Sequence, residues 1–153
     1  MSKEVHLIVV GKLKDAHLEA VEEDYLKRIK VPSLKIHEVK ASAENKLAEG
    51  EAVQKKIREI APNGCHLILL AENGKLFDSP KFSEWLFTLI EEKTEKLIFV
   101  IAGAEGHSDE MLKLAQGKIS LSALTFPHKI ARILFVEQFY RALTIKKNHP
   151  YHN

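Results

Sequence analysis

Two arginines near the C-terminus stand where a charged side chain needs a partner. Arg132 and Arg141 lie in a segment of helical spacing, His128 to Thr144, that is apolar around much of its circumference. A guanidinium in apolar surroundings is costly unless it meets a carboxylate, a phosphate or solvent. Two interpretations are therefore open: each arginine forms a salt bridge within or between subunits, or it binds an anionic ligand.

The tail after this segment is rich in groups that donate, accept or stack. It reads Asn148-His149-Pro150-Tyr151-His152-Asn153, with two imidazoles and one phenol. Two histidines without a cysteine or a third ligand make a weak metal site, and an unstructured end is the usual fate of a terminus. A third interpretation is contact with an RNA base by stacking and hydrogen bonding.

A glycine loop, Gly103-Ala104-Glu105-Gly106, follows a predicted buried strand and precedes a predicted helix. Glycines at such a junction allow a ligand to approach the backbone closely. The spacing is neither the dinucleotide fingerprint nor a Walker loop, and the acidic Glu105, Asp109 and Glu110 would repel a phosphate. An ordinary strand-to-helix turn is the alternative.

The segment Ser122-Ala123-Leu124-Thr125-Phe126-Pro127 mixes apolar and polar residues in a way unusual for a loop. A buried connection of this kind leaves backbone groups that need hydrogen-bond partners. A ligand with a hydrogen-bonding rim, such as an adenine, could supply them. The alternative is a plain junction in which Pro127 lies near the first turn of the next helix.

The elements that position these segments alternate along the whole chain. Strand patterns occur at Val5 to Val10, Leu34 to Val39, Leu67 to Ala71, Leu97 to Ile101 and Ile119 to Leu121, and Glu72-Asn73-Gly74 predicts a turn after the third of them. Helical patterns occur at Asp15 to Ile29, at Ala43 to Ile60, which is typical of an exposed helix, after Ser79 and after Ser108, each the predicted N-cap of its helix, and from His128. This alternation predicts one α/β domain over residues 1–153, with a mostly parallel sheet and helices on both faces. Ligands in such sheets bind beyond the carboxyl ends of the strands.

Composition limits the class of protein. Apolar residues make up 45% and charged residues 29%, as in a globular protein, and the longest apolar runs are too short to span a bilayer. The N-terminus has no signal-peptide pattern. The single cysteine, Cys65, excludes an internal disulfide and a multi-cysteine metal cluster. We expect a cytoplasmic protein with no membrane contact and no metal.

Charge is distributed unevenly, although the net charge is only +2. From Leu112 to the C-terminus there are seven lysines and arginines and one acid, Glu137. This basic block is either a solvated face or the electrostatic footprint of a polyanion such as RNA.

Taken in order, the C-terminal segments resemble one family. Ile101 to Gly106, Ile119 to His128, Arg132, Glu137 to Ala142, and Asn148 to His152 together are similar to the RlmH family, the ribosomal large-subunit pseudouridine N3-methyltransferases of the SPOUT superfamily. The resemblance covers the whole chain.

This resemblance implies a deep trefoil knot in the C-terminal part of the sheet, a homodimer, and S-adenosylmethionine as the methyl donor. The implied substrate is a pseudouridine of 23S rRNA, methylated at N3 on the assembled ribosome. Carried over position by position, the cofactor would contact Leu70, Gly103, Ser122, Ala123, Leu124, Thr125, Phe126 and Pro127.

For the reaction itself, the resemblance favours Arg132 and Arg141 for phosphate or base binding. His128, Tyr151 and His152 are candidates for contact with the base, including across a dimer. Three other functions remain open: a SPOUT enzyme acting on another RNA such as tRNA, a non-catalytic ribosome-binding factor, and a generic nucleotide-binding module.

Overall fold

A computed structural model describes residues 3–152, and in them five strands alternate with five helices. The strands are β1 (Glu4–Val10), β2 (Ser33–Val39), β3 (Cys65–Leu76), β4 (Lys96–Ile101) and β5 (Gly117–Ser120). The helices are α1 (Ala16–Arg28), α2 (Lys46–Ile60), α3 (Ser79–Glu92), α4 (Asp109–Leu114) and α5 (His128–Lys146). The predicted alternation is confirmed.

The five strands form one parallel sheet in the order β2-β1-β4-β3-β5. The apolar runs of β3 and β4 lie inside the sheet, as their lack of alternation predicts. Phe99 of β4 and Leu69 of β3 are completely buried. The prediction of a mostly parallel α/β sheet is confirmed.

Helices cover both faces of the sheet and bury a separate core on each. On one face, α1, α3 and α5 pack against alternate residues of β1 and β4, with Phe135 and Phe139 of α5 at the centre. On the other face, α2 and α4 pack on the intervening residues, with Met111 fully buried. This alternation follows from the period of two in a strand.

Side-chain caps explain where most of the helices begin. Asp15 caps α1, and Ser108 caps α4 as predicted. The prediction that Ser79 caps α3 is wrong. The Asp78 carboxylate accepts from the Lys81 backbone N–H at 2.9 Å, and Ser79 is the first helical residue. Its hydroxyl instead donates to the side-chain oxygen of Gln138 at 2.7 Å, which ties α3 to α5.

Strand β3 runs farther than its sequence indicates. The predicted turn at residues 72–74 is wrong, because β3 continues to Leu76. Leu70 pairs with Ile119 of β5, and Lys75 pairs with Ile119 again, so the ladder shifts between these two residues. Residues 71–74 therefore bulge out between two pairings with the same residue of β5.

None of the helices within residues 3–152 combines the length and the apolar character needed to cross a membrane.

Candidate cofactor and RNA site

The loops after β3, β4 and β5 enclose a cavity of about 710 Å³ at the carboxyl edge of the sheet. This volume falls in the range of roughly 300–1,000 Å³ that is typical of small-molecule sites. Of the eight residues predicted to bind the cofactor, seven line the cavity: Leu70, Gly103, Ser122, Leu124, Thr125, Phe126 and Pro127. Ala123 is not among its lining residues. His128 lines it as well.

The segment from Ser122 to Pro127 is held partly by its own hydrogen bonds. The Ser120 hydroxyl donates to the carbonyl of Ser122 at 2.7 Å, and the Ser122 hydroxyl accepts from the Leu124 N–H at 3.0 Å. The Leu124 side chain projects outward, and the residue is 71% exposed. An apolar side chain left open at the rim of a cavity suits contact with a ligand or a partner.

The glycine loop after β4 approaches a buried acid. A β-carbon at Gly103 would lie 2.9 Å from Oε1 of Glu49, so a larger residue would push against that carboxylate. Glu49 is buried in α2 and accepts from the Ser42 N–H at 2.8 Å. A carboxylate behind the loop favours a positively charged ligand group over a phosphate. The pattern of α2, which predicts an exposed helix, does not reveal Glu49.

His107 joins two walls of the cavity, and the sequence analysis missed it. Its Nε2 lies 2.7 Å from the carbonyl oxygen of Leu70. Because a carbonyl only accepts, Nε2 carries the hydrogen. Burial lowers the pKa of His107, so the ring is neutral at pH 7. Its place between Gly106 of the glycine loop and the cap residue Ser108 is the one signal that could have drawn attention to it.

Arg132 is buried in an ion triad that joins α5, α1 and β2. Its Nε and Nη2 donate to the two carboxylate oxygens of Glu22 at 2.7 and 2.8 Å, and its Nη1 donates to Glu38 at 2.7 Å. Burial alone would lower the pKa of Arg132, but the hydrogen bonds to the two carboxylates raise it. Of the two interpretations of this arginine, the structure shows the intramolecular salt bridge.

Arg141 organises the C-terminal tail through Glu137. Its Nη2 lies 2.7 Å from Glu137 Oε2, and its Nη1 lies 2.9 Å from Nδ1 of His152. The Tyr151 hydroxyl donates to the same Glu137 oxygen at 2.8 Å and lies 3.1 Å from the Tyr25 hydroxyl. Burial and these bonds raise the pKa of Tyr151, so it stays protonated at neutral pH.

The predicted site residues therefore form two groups in one chain. The cofactor residues and His128 meet at the cavity, and Arg132 lines a small adjoining cavity together with Lys12, His128 and Lys129. Arg141, Tyr151 and His152 meet at the other end of α5. Arg141 lies thirteen positions after His128 in α5, which corresponds to about 20 Å along the axis at 1.5 Å per residue.

In the part of the chain that the structure describes, no three His, Cys, Asp or Glu side chains are grouped so that they could hold a metal ion.

A parallel sheet with a ligand-sized cavity at its carboxyl edge is the arrangement in which α/β proteins bind small molecules. The model of the family described as "Predicted SPOUT methyltransferase" matches residues 3–152, and the chain belongs to this family.

Curated relatives match almost the full length. A protein of Flavobacterium johnsoniae is 38% identical over 158 residues, covering 97% of this chain and 98% of the relative. One of Flavobacterium psychrophilum is 39% identical with the same coverage. Both are named "Ribosomal RNA large subunit methyltransferase H". The expected family is thereby confirmed.

Among solved structures, a probable methylase family protein from Haemophilus influenzae aligns with a TM-score of 0.62 at 11% identity. The alignment covers 100% of this chain and 72% of that one. At this identity the likeness concerns the fold alone.

Proposed function

We propose that this protein transfers a methyl group from S-adenosylmethionine to N3 of a pseudouridine in large-subunit rRNA of the assembled ribosome, in the cytoplasm. One observation carries the proposal: seven of the eight residues that the family resemblance assigns to the cofactor, contributed by three separate segments of the chain, line one cavity. The relatives named ribosomal RNA large subunit methyltransferase H support the rRNA substrate.

The cavity suits the proposed cofactor in both shape and charge. Leu70, Gly103, Ser122 and residues 124–127 would hold it, and the apolar side chain of Phe126 would suit its adenine. When bound, S-adenosylmethionine supplies a methyl group activated by a positively charged sulfur. Glu72 in the cavity wall and Glu49 behind Gly103 are anionic groups that suit a cation.

The protein's own contribution is to align the base and to take its proton. His128 lines the cavity and is the candidate proton acceptor there. Tyr151 is held in its protonated form, so its role would be contact with the base rather than proton abstraction. Arg141, whose side chain is partly exposed, would bind a phosphate or the anionic base next to Glu137, and His152 would contact the base beside it. Arg132 would bind such a group only by releasing the carboxylates of Glu22 and Glu38, so its main contribution would be to fix α5 against α1 and β2.

RNA would approach along a basic rim. We define this rim as Lys12, Lys118 and Lys129, the first and last of which line the small cavity that adjoins the main one. None of the three forms a salt bridge with another residue in the range 3–152. Cations that are not neutralised by neighbouring acids can bind the phosphate backbone.

We further propose a homodimer in which the tail of one subunit completes the cavity of the other. Within one chain, Arg141, which holds the tail, lies about 20 Å along α5 from His128 in the cavity wall, and this separation supports the arrangement. Apolar side chains near the cavity are open to a partner, with Leu124 71% and Ile130 37% exposed. Isologous contact through α5 would cover them.

The trefoil knot belongs to the same proposal, within one domain that spans the chain. Support comes from β3, whose residues on either side of the bulge both pair with Ile119 of β5. Gly74 passes so close to Ile119 that a β-carbon would collide with its backbone. This close approach of residues 71–74 to β5 supports a path in which one chain segment passes tightly by another, as it does in a knot.

The experiment is transfer of labelled methyl from S-adenosylmethionine to ribosomes that lack the modification, in parallel with naked rRNA and tRNA. We expect label in large-subunit rRNA with ribosomes only. Label in tRNA would retain the methyltransferase but change its substrate. Failure to label any of the three, together with failure to bind the cofactor, would refute the proposal.

A further inference from the structure

His107 occupies the point where the β3–β5 ladder breaks. Leu70 is the last residue of β3 in regular register with β5, and the pairing resumes only at Lys75. Where the ladder breaks, the regular backbone hydrogen bonds between the two strands stop, so the carbonyl of Leu70 needs another donor. The His107 imidazole donates to this carbonyl at 2.7 Å from the neighbouring loop.

The residues that depend on this anchor line the cavity. Ala71, Glu72 and Asn73 follow Leu70 directly, and all three contribute to the wall. His107 comes from the opposite side, at the start of α4, where the Ser108 hydroxyl accepts from the Met111 N–H. The hydrogen bond therefore links the loop after β3 to the loop after β4 across one side of the cavity.

Because the hydrogen bond between His107 and Leu70 is shielded from solvent, losing it costs more free energy than losing a bond at the surface. The ring is largely removed from solvent, and its pKa is lowered by that burial. A buried donor that loses its acceptor, or an acceptor that loses its donor, costs more than an exposed pair. A glycine loop whose φ is +83° at Gly106 brings the ring into this position.

We propose that His107 is a positioning residue for cofactor binding: by holding the Leu70 carbonyl it presets the wall formed by residues 70–73. The inference rests on the proposed function and names a determinant of cofactor affinity within the same cavity. His107 acts through Leu70 and does not take part in proton transfer.

Three replacements of His107 separate the hydrogen bond from the volume of the ring. His107→Gln places an amide N–H near the position of Nε2, His107→Asn is too short to reach, and His107→Leu fills space without a donor. We expect the dissociation constant for S-adenosylmethionine, measured by calorimetry, to rise about two- to tenfold in His107→Leu and His107→Asn. His107→Gln should stay within about twofold of the original protein.

Kinetics distinguish positioning from a general loss of structure. The KM for S-adenosylmethionine should rise with the dissociation constant, whereas kcat at saturating cofactor should change little. Thermal unfolding of each variant reports its folding, and the Gln–Asn comparison decides the question even if His107→Leu fails to fold. Equal affinity in all variants, or a Gln variant as weak as Leu, would overturn the inference while leaving the proposed function intact.

A second measurement uses the protein without cofactor. Nitrogen-15 NMR of the imidazole should show His107 as the neutral Nε2–H tautomer at pH 7. The Nδ1–H tautomer would contradict the bond to Leu70 and overturn the inference. If the original protein binds no S-adenosylmethionine, both the inference and the proposed function are rejected.

Discussion

The backbone of Gly74 crosses that of Ile119 at a distance that leaves no room for a side chain. A β-carbon at residue 74 would lie 2.6 Å from the carbonyl oxygen of Ile119 and 2.7 Å from its Cα. These atoms belong to β5, whose backbone cannot move aside as a flexible side chain can. This close approach holds the end of β3 against β5, next to Asn73 and Ser120, which line the cavity.

Replacing Gly74 with alanine should therefore destabilise the protein by about 3 kcal/mol, the upper part of the range for overpacking. Chemical unfolding would measure the change. Gly117→Ala is the matched control on β5, since its β-carbon would meet only the mobile Cδ1 of Ile68, at 3.3 Å. Equal stability of the two variants would show that the crossing is looser than described.

The Arg132 triad leads to a prediction about stability. Arg132→Met would leave the Glu22 carboxylate buried without a partner, at a cost of roughly 3–5 kcal/mol in the free energy of unfolding. Glu22→Gln combined with Arg132→Met should cost less than the sum of the single changes, because the double variant leaves no buried charge at this pair. Additive effects in this double-mutant cycle would contradict a structural triad.

Local patterns in the sequence predict the strands, most helix boundaries and the three cavity loops, because each depends on neighbouring residues. The extension of β3 past residue 72 was not predictable, since Glu72-Asn73-Gly74 has the composition of a turn and is held extended by contact with β5. Glu49 and His107 were missed for a similar reason: burial by distant segments gives each its role. The tail has no periodicity, so its attachment to Glu137 could not be inferred.

Low pH should weaken the fold through the buried His6, which contacts the half-buried His37. His6 Nδ1 lies 2.9 Å from His37 Nε2, and Nε2 of His6 has no hydrogen-bond partner within residues 3–152. Burial, followed by repulsion from His37, lowers the pKa of His6 from its usual 6.5 to about 4. Lys35 and Lys96 add to this repulsion, and Glu4 opposes it.

The direction of the effect follows from proton binding. Between pH 6.5 and about 4 the unfolded chain binds a proton at His6 that the folded protein does not, so stability falls as the pH falls through this window. The loss is on the order of 2–3 kcal/mol by pH 4. In His6→Phe this part of the pH dependence should vanish, as measured by unfolding at a series of pH values. An unchanged slope would refute it.

The basic rim predicts a salt-dependent RNA contact. Lys12→Ala and Lys129→Ala should each weaken binding to the ribosomal substrate and reduce the slope of log affinity against log salt by about 0.7–0.9, the value for one phosphate contact. Affinity for S-adenosylmethionine should not change. Lys55→Ala, at an exposed position of α2, is the control and should leave both quantities as they are. A slope unaltered by the rim variants would exclude phosphate contact there.

A dimer that shares its tails predicts complementation between two inactive variants. Gly103→Val would press against Glu49 and push the glycine loop out of its place in the cavity wall, whereas the double replacement Tyr151→Ala, His152→Ala would remove the tail groups. Each variant alone should show almost no methyl transfer.

If the tail of one subunit serves the cavity of the other, a mixed dimer contains one intact site. Random exchange of subunits then restores about a quarter of the original activity, because half the dimers are mixed and each has one working site of two.

If instead the tail of each subunit served its own cavity, a mixed dimer would contain no intact site, because one subunit would lack its cavity and the other would lack its tail. Methyl transfer after subunit exchange, followed over time against each variant alone, distinguishes the two arrangements, and no gain in activity despite confirmed exchange would place the tail outside the partner's site.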